Sequence, residues 1–310
     1  MDFLYVAGGL VLLVFAGDAL VRGAVNLSLR LGIPALVVGL TVVAFGTSAP
    51  ELLVSVRAVL DGAPGLALGN VVGSNIANIL LVLGIPAMIS VIHSSQLDLN
   101  RSYLTMLAAT VLFIAVALMG PIGPVHGLIL LAGLAAMLFD NFRTARAHRA
   151  EAEPELEGVD PSMRWWKICA FLGAGLIGLP LGADFLVRGA VNIARDQGIS
   201  EAVIGLTLVA VGTSLPELAT SVVAAFKKQA DVAMGNVIGS NVFNLLGIIG
   251  ISGLIGDLPV PEQMLRSDLW VMLAVTLLLV PFILMRHFIT RTVGIGFVAI
   301  YGIYAATLVL

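Results

Sequence analysis

The chain says the same thing twice. Residues 39–54, GLTVVAFGTSAPELLV, return as residues 205–220, GLTLVAVGTSLPELAT, with eleven of sixteen positions identical. Residues 69–84, GNVVGSNIANILLVLG, return as 235–250, GNVIGSNVFNLLGIIG, with nine of sixteen identical. DALVRGAVN at 18–26 returns as DFLVRGAVN at 184–192. All three pairs lie at one displacement, 166 residues, without a gap. The chain is therefore a duplicated unit, and a residue that matters in one copy has a partner to be examined in the other. In the first pair the only charge is a glutamate, Glu51 or Glu217, inside an otherwise apolar run.

Those runs belong in a bilayer. The chain is 59% hydrophobic and 11% charged, with a mean hydropathy of +1.06. No Asp, Glu, Lys or Arg falls between Asp2 and Asp18, Asp61 and Asp98, Arg101 and Asp140, Asp231 and Asp257, or Arg291 and Leu310. A membrane helix needs about 20 apolar residues, and several of these stretches supply them. The first is not a cleavable signal peptide, because it lacks a basic leading region and carries part of the repeat. The pattern predicts ten spans, at 3–22, 34–59, 64–90, 101–119, 123–142, 165–188, 201–226, 232–256, 268–286 and 290–310. GPIGP at 120–124 is the turn that divides the uncharged run 102–139.

The one sizeable polar segment, 143–164, begins basic (Arg143, Arg146, His148, Arg149) and turns acidic (Glu151, Glu153, Glu155, Glu157, Asp160). It reads as a linker between a first repeat, 1–142, and a second, 165–310. Twelve of the sixteen basic residues fall on the linker's side of the ten-span plan. That side is expected to be cytoplasmic, with both termini outside and the cytoplasmic membrane as the location. Five spans per copy is an odd number, so the second copy should be inverted, related to the first by a pseudo-two-fold axis in the membrane plane. The expected fold is an all-α membrane protein of ten transmembrane helices in two inverted five-helix repeats. Sparse, loop-confined charge and a net charge of −3 give no nucleic-acid surface. The single cysteine, Cys169, excludes an internal disulfide and is expected to pack as a small apolar residue in a span.

The repeated motifs carry oxygen chemistry. In Gly46-Thr47-Ser48-Ala49-Pro50-Glu51, Thr47 and Glu51 are i, i+4 neighbours and Ser48 and Glu51 are i, i+3, so one helix face offers a carboxylate and two hydroxyls. Pro50 cannot donate to the carbonyl of Gly46, so the helix should kink or break and free carbonyls near Ala44 to Gly46. Gly212-Thr213-Ser214-Leu215-Pro216-Glu217 repeats the set. In the second motif Ser74 and Asn78, and Ser240 and Asn244, are i, i+4 pairs, with Asn75 and Asn241 close by. Glycines at 69, 73 and 84, and at 235, 239 and 250, should let helices approach closely. Two carboxylates with hydroxyl, amide and carbonyl oxygens make a site for a hard cation such as Ca²⁺ or Na⁺; no histidine lies in these motifs. Gly, Ser, Thr and Asn in membrane helices more often serve packing, and a proline is often only a kink. A carboxylate in an uncharged span costs at least ~2.5–3.5 kcal/mol, so Glu51 and Glu217 are read as functional, and their neighbours with them. The Asp18/Arg22 and Asp184/Arg188 pairs read as structural ion pairs near span ends.

At these residues the chain resembles the sodium/calcium exchanger family of the cation/Ca²⁺ antiporters, most closely its compact prokaryotic members. GTSAPE at 46–51, GTSLPE at 212–217, GNVVGSNIAN at 69–78 and GNVIGSNVFN at 235–244 carry the resemblance. It implies antiport of Ca²⁺ against Na⁺ by a multi-pass protein that works as a monomer and holds its ions between four central helices. It implies no cofactor. Carried over by position, the ion ligands fall on the Ala44 carbonyl, Thr47, Ser48, Glu51, Ser74 and Asn78, and on the Ala210 carbonyl, Thr213, Ser214, Glu217, Ser240 and Asn244. In the family the first and sixth spans slide against the core. Some relatives have aspartate where this chain has Asn78 or Asn244, so this site carries only two full negative charges. The chain also lacks the large calcium-sensing insert of animal exchangers. Exchange of Ca²⁺ for H⁺ is the alternative, since two glutamates can each take a proton. The sequence motifs of intramembrane proteases are absent, so an enzyme is not expected. A passive channel would have no use for inverted halves.

Overall fold

Buried backbone in a membrane must satisfy its own hydrogen bonds, and a chain this apolar does so with helices. The computed structural model describes residues 2–92, 99–147, 163–197 and 210–309. Among them the fold is all-helical apart from two isolated antiparallel bridges, Ile92 with Ile289 and Ile122 with Leu258. The first copy runs α1 (Asp2–Leu31), α2 (Ala35–Thr47), α3 (Ala49–Leu60), α4 (Pro64–Ile89), α5 (Asn100–Leu118) and α6 (Pro124–Ala147). The second runs α7 (Trp165–Asp196), α8 (Ala210–Thr213), α9 (Leu215–Phe226), α10 (Ala230–Ile255), α11 (Met264–Ile283) and α12 (Arg291–Val309). A shift of 166 residues turns each helix of the first copy into its counterpart in the second.

Seven of these helices are long and apolar enough to cross a membrane singly, and α2 with α3, bent by 44°, would be an eighth. α9 and α12 are shorter apolar helices. The start of the expected span 201–226 and most of the linker lie outside the described residues.

α4 and α10 form the middle. Their spanning windows are 72% and 83% buried, against 22–44% for the other long helices. Each contains a stretch wound one residue wider than an α-helix, Asn78–Val82 and Phe243–Ile248, at matching places in the two copies. Such π-turns leave the regular hydrogen-bond ladder and recur at functional sites. α5 and α11 brace this middle, and the Tyr103 hydroxyl of α5 donates to the Thr276 carbonyl of α11 at 3.0 Å.

α1 and α7 lie against each other antiparallel. At one end the Asn192 amide donates to Asp2 at 2.9 Å, and at the other Arg30 sits over the Trp165 ring, 5.7 Å from its centroid. Small residues make the approach possible: a Cβ on Gly175 would fall 2.5 Å from Leu20 Cβ, and one on Gly178 would fall 2.7 Å from Ala16 Cβ. Both helices run well past the expected ends, to Leu31 and Asp196 rather than 22 and 188. The reason is that Asp18 and Arg22 (2.7 Å), and Asp184 and Arg188 (2.8 Å), neutralise each other one turn apart within the helix and do not end it. Asp18 also holds Lys227 at 2.6 Å, which ties α1 to the end of α9. Cys169 lies in the spanning helix α7, as expected, and is exposed on its surface.

Gly173 has no described neighbour within 4 Å of where a Cβ would stand, unlike Gly175. Gly175→Ala should therefore destabilise the protein by about 1–3 kcal/mol through overpacking against α1, while Gly173→Ala should leave it unchanged or slightly firmer. Melting temperatures of the two variants in detergent check this, and equal values would mean that α1 and α7 do not pack as described.

Candidate functional site

The two broken helices make the site. Ser48 (φ −82°, ψ 8°) and Ser214 (φ −88°, ψ 5°) leave helical geometry at matching positions. Pro50 and Pro216 then sit in the first turn of α3 and α9, where a missing N–H costs nothing. The expected break is present, two residues before the proline itself. The carbonyl of Ala44 is not left bare: it accepts the Ser48 N–H at 3.0 Å and the Ser240 hydroxyl at 3.4 Å, and the Thr47 hydroxyl, whose one proton also has Asn236 Oδ1 at 3.0 Å, lies 3.2 Å away. In the second copy the Ser214 N–H turns instead to the Val211 carbonyl, at 3.1 Å.

Restarting the helix two residues before each glutamate puts Glu51 and Glu217 in a first turn, where the helix dipole favours negative charge. Both side chains are completely buried, and they interact electrostatically with each other. Glu217 lies beside Thr47, Ser48 and Ser240, so three residues from α2 and α10 face it. The Ser48 hydroxyl donates to Glu217 Oε1 at 2.8 Å, across the boundary between the copies. Its counterpart Ser214 stands next to Glu51 without closing the same bond: both Glu51 carboxylate oxygens and the Ser214 hydroxyl are buried with no hydrogen-bond partner.

Further oxygens of the expected set are buried without partners. Glu217 Oε2, Ser74 Oγ, Asn78 Oδ1 and Asn244 Oδ1 also lack partners. Leaving such groups unmade costs roughly 1–3 kcal/mol apiece, and all of them are donors of the kind a hard cation coordinates. Among the described residues no group of three His, Cys, Asp or Glu could hold a metal. Carboxylate, hydroxyl and amide oxygens are the chemistry that suits a hard cation, where a transition metal would favour His or Cys.

The expected site residues largely converge. Ala44, Thr47, Ser48, Glu51, Ser74, Asn78, Ser214, Glu217, Ser240 and Asn244 are all buried in the middle of the fold. Thr213 is half-buried, and Ala210 opens α8. The glycine expectation divides. A Cβ on Gly239 would fall 2.5 Å from the Leu40 carbonyl, so α2 does press directly on α10. Gly69 and Gly73 meet no described atom within 4 Å.

Two residues were missing from the expected set. The Asn70 amide donates to the Glu51 carbonyl (3.3 Å) and the Ser55 hydroxyl (3.0 Å). The Asn236 amide donates to the Glu217 carbonyl (3.2 Å) and the Ser221 hydroxyl (3.1 Å). Each Oδ1 faces the other copy, Asn236 accepting from Thr47 at 3.0 Å and Asn70 from Thr213 at 3.4 Å. The signal was available: both are polar residues repeated at the 166-residue displacement inside apolar helices. Asn241, named only as lying nearby, also joins the copies, accepting from the Asn78 amide at 3.1 Å.

Removing the Ser48 hydroxyl breaks a bond to a carboxylate, whereas removing that of Ser214 breaks none. In cation-free buffer Ser48→Ala should cost about 1.5–3 kcal/mol and Ser214→Ala close to nothing. Thermal or denaturant unfolding of both variants would expose the difference, and equal losses would count against the asymmetry described here.

The chain was compared with known proteins. The family model described as sodium/calcium exchanger protein matches residues 1–141 and 167–310. The sodium/calcium exchanger MaX1 of Methanosarcina acetivorans is 33% identical, over 99% of this chain and 98% of that protein. The putative antiporter CaxA of Alkalimonas amylolytica is 36% identical, over 89% of this chain and 88% of its own. Among solved structures, that of the sodium-calcium exchanger NCX_Mj soaked with Na⁺ and Sr²⁺ superposes with a TM-score of 0.85 at 35% identity, covering 98% of this chain and 97% of that one.

Proposed function

Because this chain belongs to the sodium/calcium exchanger family, we propose that it is a secondary antiporter that moves Ca²⁺ against Na⁺ across the cytoplasmic membrane by alternating access. Membership makes it a multi-pass membrane protein and a cation/Ca²⁺ exchanger of compact prokaryotic type. The choice of Na⁺, the sidedness and the ion ligands are our reading.

One observation carries that reading. Two buried glutamates, one from each copy, begin equivalent helices, interact with each other and are ringed by unpartnered oxygens. The ligands in this proposal are Glu51, Glu217, Thr47, Ser48, Ser74, Asn78, Thr213, Ser214, Ser240 and Asn244, with the carbonyls of Ala44 and Ala210. One Ca²⁺ neutralises two carboxylates, and so do two Na⁺. Both ions need the same oxygens, so they compete, and competition for one site is what forces exchange. With no cation bound, two anions face each other in a low-dielectric interior, which opposes a crossing of the empty carrier.

The inverted ten-span plan, with repeats 1–142 and 165–310 joined by the cytoplasmic linker 143–164 and both termini outside, is part of the same proposal. It is supported by the antiparallel packing of α1 on α7 and by hydrogen bonds that recur with the copies exchanged. A protein that works as a monomer is part of the same proposal.

Glu51→Gln and Glu217→Gln are each expected to abolish Na⁺-driven ⁴⁵Ca²⁺ uptake into vesicles containing the purified protein. Normal uptake by both variants would remove the basis of the assignment. The same vesicles separate the counter-ion: Ca²⁺ flux driven by an imposed Na⁺ gradient at fixed pH supports Na⁺. Flux driven only by a pH gradient would make the protein a Ca²⁺/H⁺ antiporter.

A further inference from the structure

A hydroxyl has one proton and two lone pairs. If it is to offer lone pairs to a cation, its proton must point elsewhere, to an acceptor outside the cage. The Thr47 hydroxyl lies 3.0 Å from the amide oxygen of Asn236, nearer than its 3.2 Å to the Ala44 carbonyl, and the Thr213 hydroxyl lies 3.4 Å from the amide oxygen of Asn70. Each acceptor comes from the opposite copy, 189 residues away for Thr47 and 143 for Thr213.

The other end of each amide is equally committed. Asn236 Nδ2 donates to the backbone carbonyl of Glu217 and to Ser221 Oγ, and Asn70 Nδ2 makes the same two bonds to Glu51 and Ser55. The separations along the chain, 19 and 15 residues, are the same in both copies. Asn236 and Ser221 are completely buried, which keeps water from the bonds Asn236 makes; in the other copy Ser55 is completely buried and Asn70 half-buried. A carboxamide accepts at its oxygen and donates twice at its nitrogen. A leucine of similar size would do neither, and a carboxylate would offer acceptors only.

We propose that Asn70 and Asn236 are positioning residues for exchange: each fixes the start of its own copy's glutamate helix and turns the other copy's threonine hydroxyl toward the cation. The cage is thereby built from halves that orient each other. When Thr47 shifts with α2, the pull reaches Glu217 through one carboxamide, and when Thr213 shifts with α8 it reaches Glu51. Partners that orient a metal ligand without touching the metal are worth about 10–100-fold in affinity or activity when lost. This inference rests on the antiport reading above.

The experiment is a double-mutant cycle on Na⁺-driven Ca²⁺ uptake in vesicles, with Asn236→Ala, Thr47→Val and the pair, each paired with a melting curve of the same preparation. Asn236→Ala is expected to raise the KM for Ca²⁺ by roughly tenfold or more with a smaller change in kcat, while the protein still melts cooperatively. Thr47→Val should raise KM to a similar extent, and the double variant should be worse by less than the product of the two effects, because the Thr47–Asn236 bond is already lost in either single variant. Thr47→Ser, which keeps the hydroxyl, should stay near the parent value. Additive effects, or a lowered melting temperature with an unchanged KM, would overturn the proposal and leave Asn236 as a packing residue. Should Asn236→Ala fail to fold, the mirror cycle of Asn70→Ala with Thr213→Val asks the same question of the other half. Failure of the antiport reading looks different, since the unaltered protein would then show no Na⁺-driven uptake at all.

Discussion

Two carboxylates face each other in a place without water, and most of the fold follows from making that tolerable. At an effective dielectric near 20, like charges a few ångströms apart repel by several kcal/mol, and each also loses its hydration. The protein answers with helix starts aimed at both glutamates, with the Ser48 hydroxyl on Glu217, and with a ring of neutral oxygens that neither donate nor repel. None of these removes the negative charge. A cation does, and the surplus of acceptors over donors in the cage is what makes cation binding the natural resolution.

Building such a cage requires helices that stop mid-membrane. Ordinarily that would strand backbone groups in hydrocarbon. Here the stop is short, a single serine in each copy, and the chain restarts on a proline-bearing turn. What the backbone gives up is recovered by side chains: the hydroxyls of Thr47 and Ser240 reach the Ala44 carbonyl, and the amides of Asn70 and Asn236 reach the carbonyls of Glu51 and Glu217. The burial of α4 and α10 supports this arrangement, because a site ringed by these two helices meets little lipid.

Much of this was legible in the sequence, and the misses have physical causes. The duplication, the helical class and the convergence of Glu51 with Glu217 follow from repetition and from the cost of an intramembrane charge, which leave few alternatives. Asn70 and Asn236 were passed over although they satisfy the same repetition test as Ser74 and Asn78. Their role lies in hydrogen bonds to residues 15 and 19 positions away and to the opposite copy, and helical spacing cannot reveal such partners. The ends of α1 and α7 were misjudged because charge was taken as a boundary. The i, i+4 pairs at Asp18 and Asp184 cancel within the helix, so the boundary is set by where packing against the partner helix stops. Cys169 lies in a span as its apolar surroundings suggested, and which face of the helix it takes is not written in helical spacing alone.

The two copies carry identical residues at the heart of the site yet hold them differently. Ser48 bonds Glu217, while Ser214 and Glu51 leave the matching atoms unpartnered. Thr47 is fully buried and Thr213 only half. Thr-Ser-x-Pro-Glu is the same in each, while neighbouring residues differ, Phe45 against Val211 and Ala49 against Leu215. The difference lies in how the helices sit. An arrangement that exchanges the two roles would use the same side chains and the same bonds, with Ser214 closed on Glu51 and Ser48 released. Where two arrangements are made of equivalent contacts, their energies differ little, and a few kcal/mol is within what one bound ion can supply. Duplication thus gives the exchanger reading its physical footing: an imperfect two-fold in one conformation is what a carrier facing one side at a time requires.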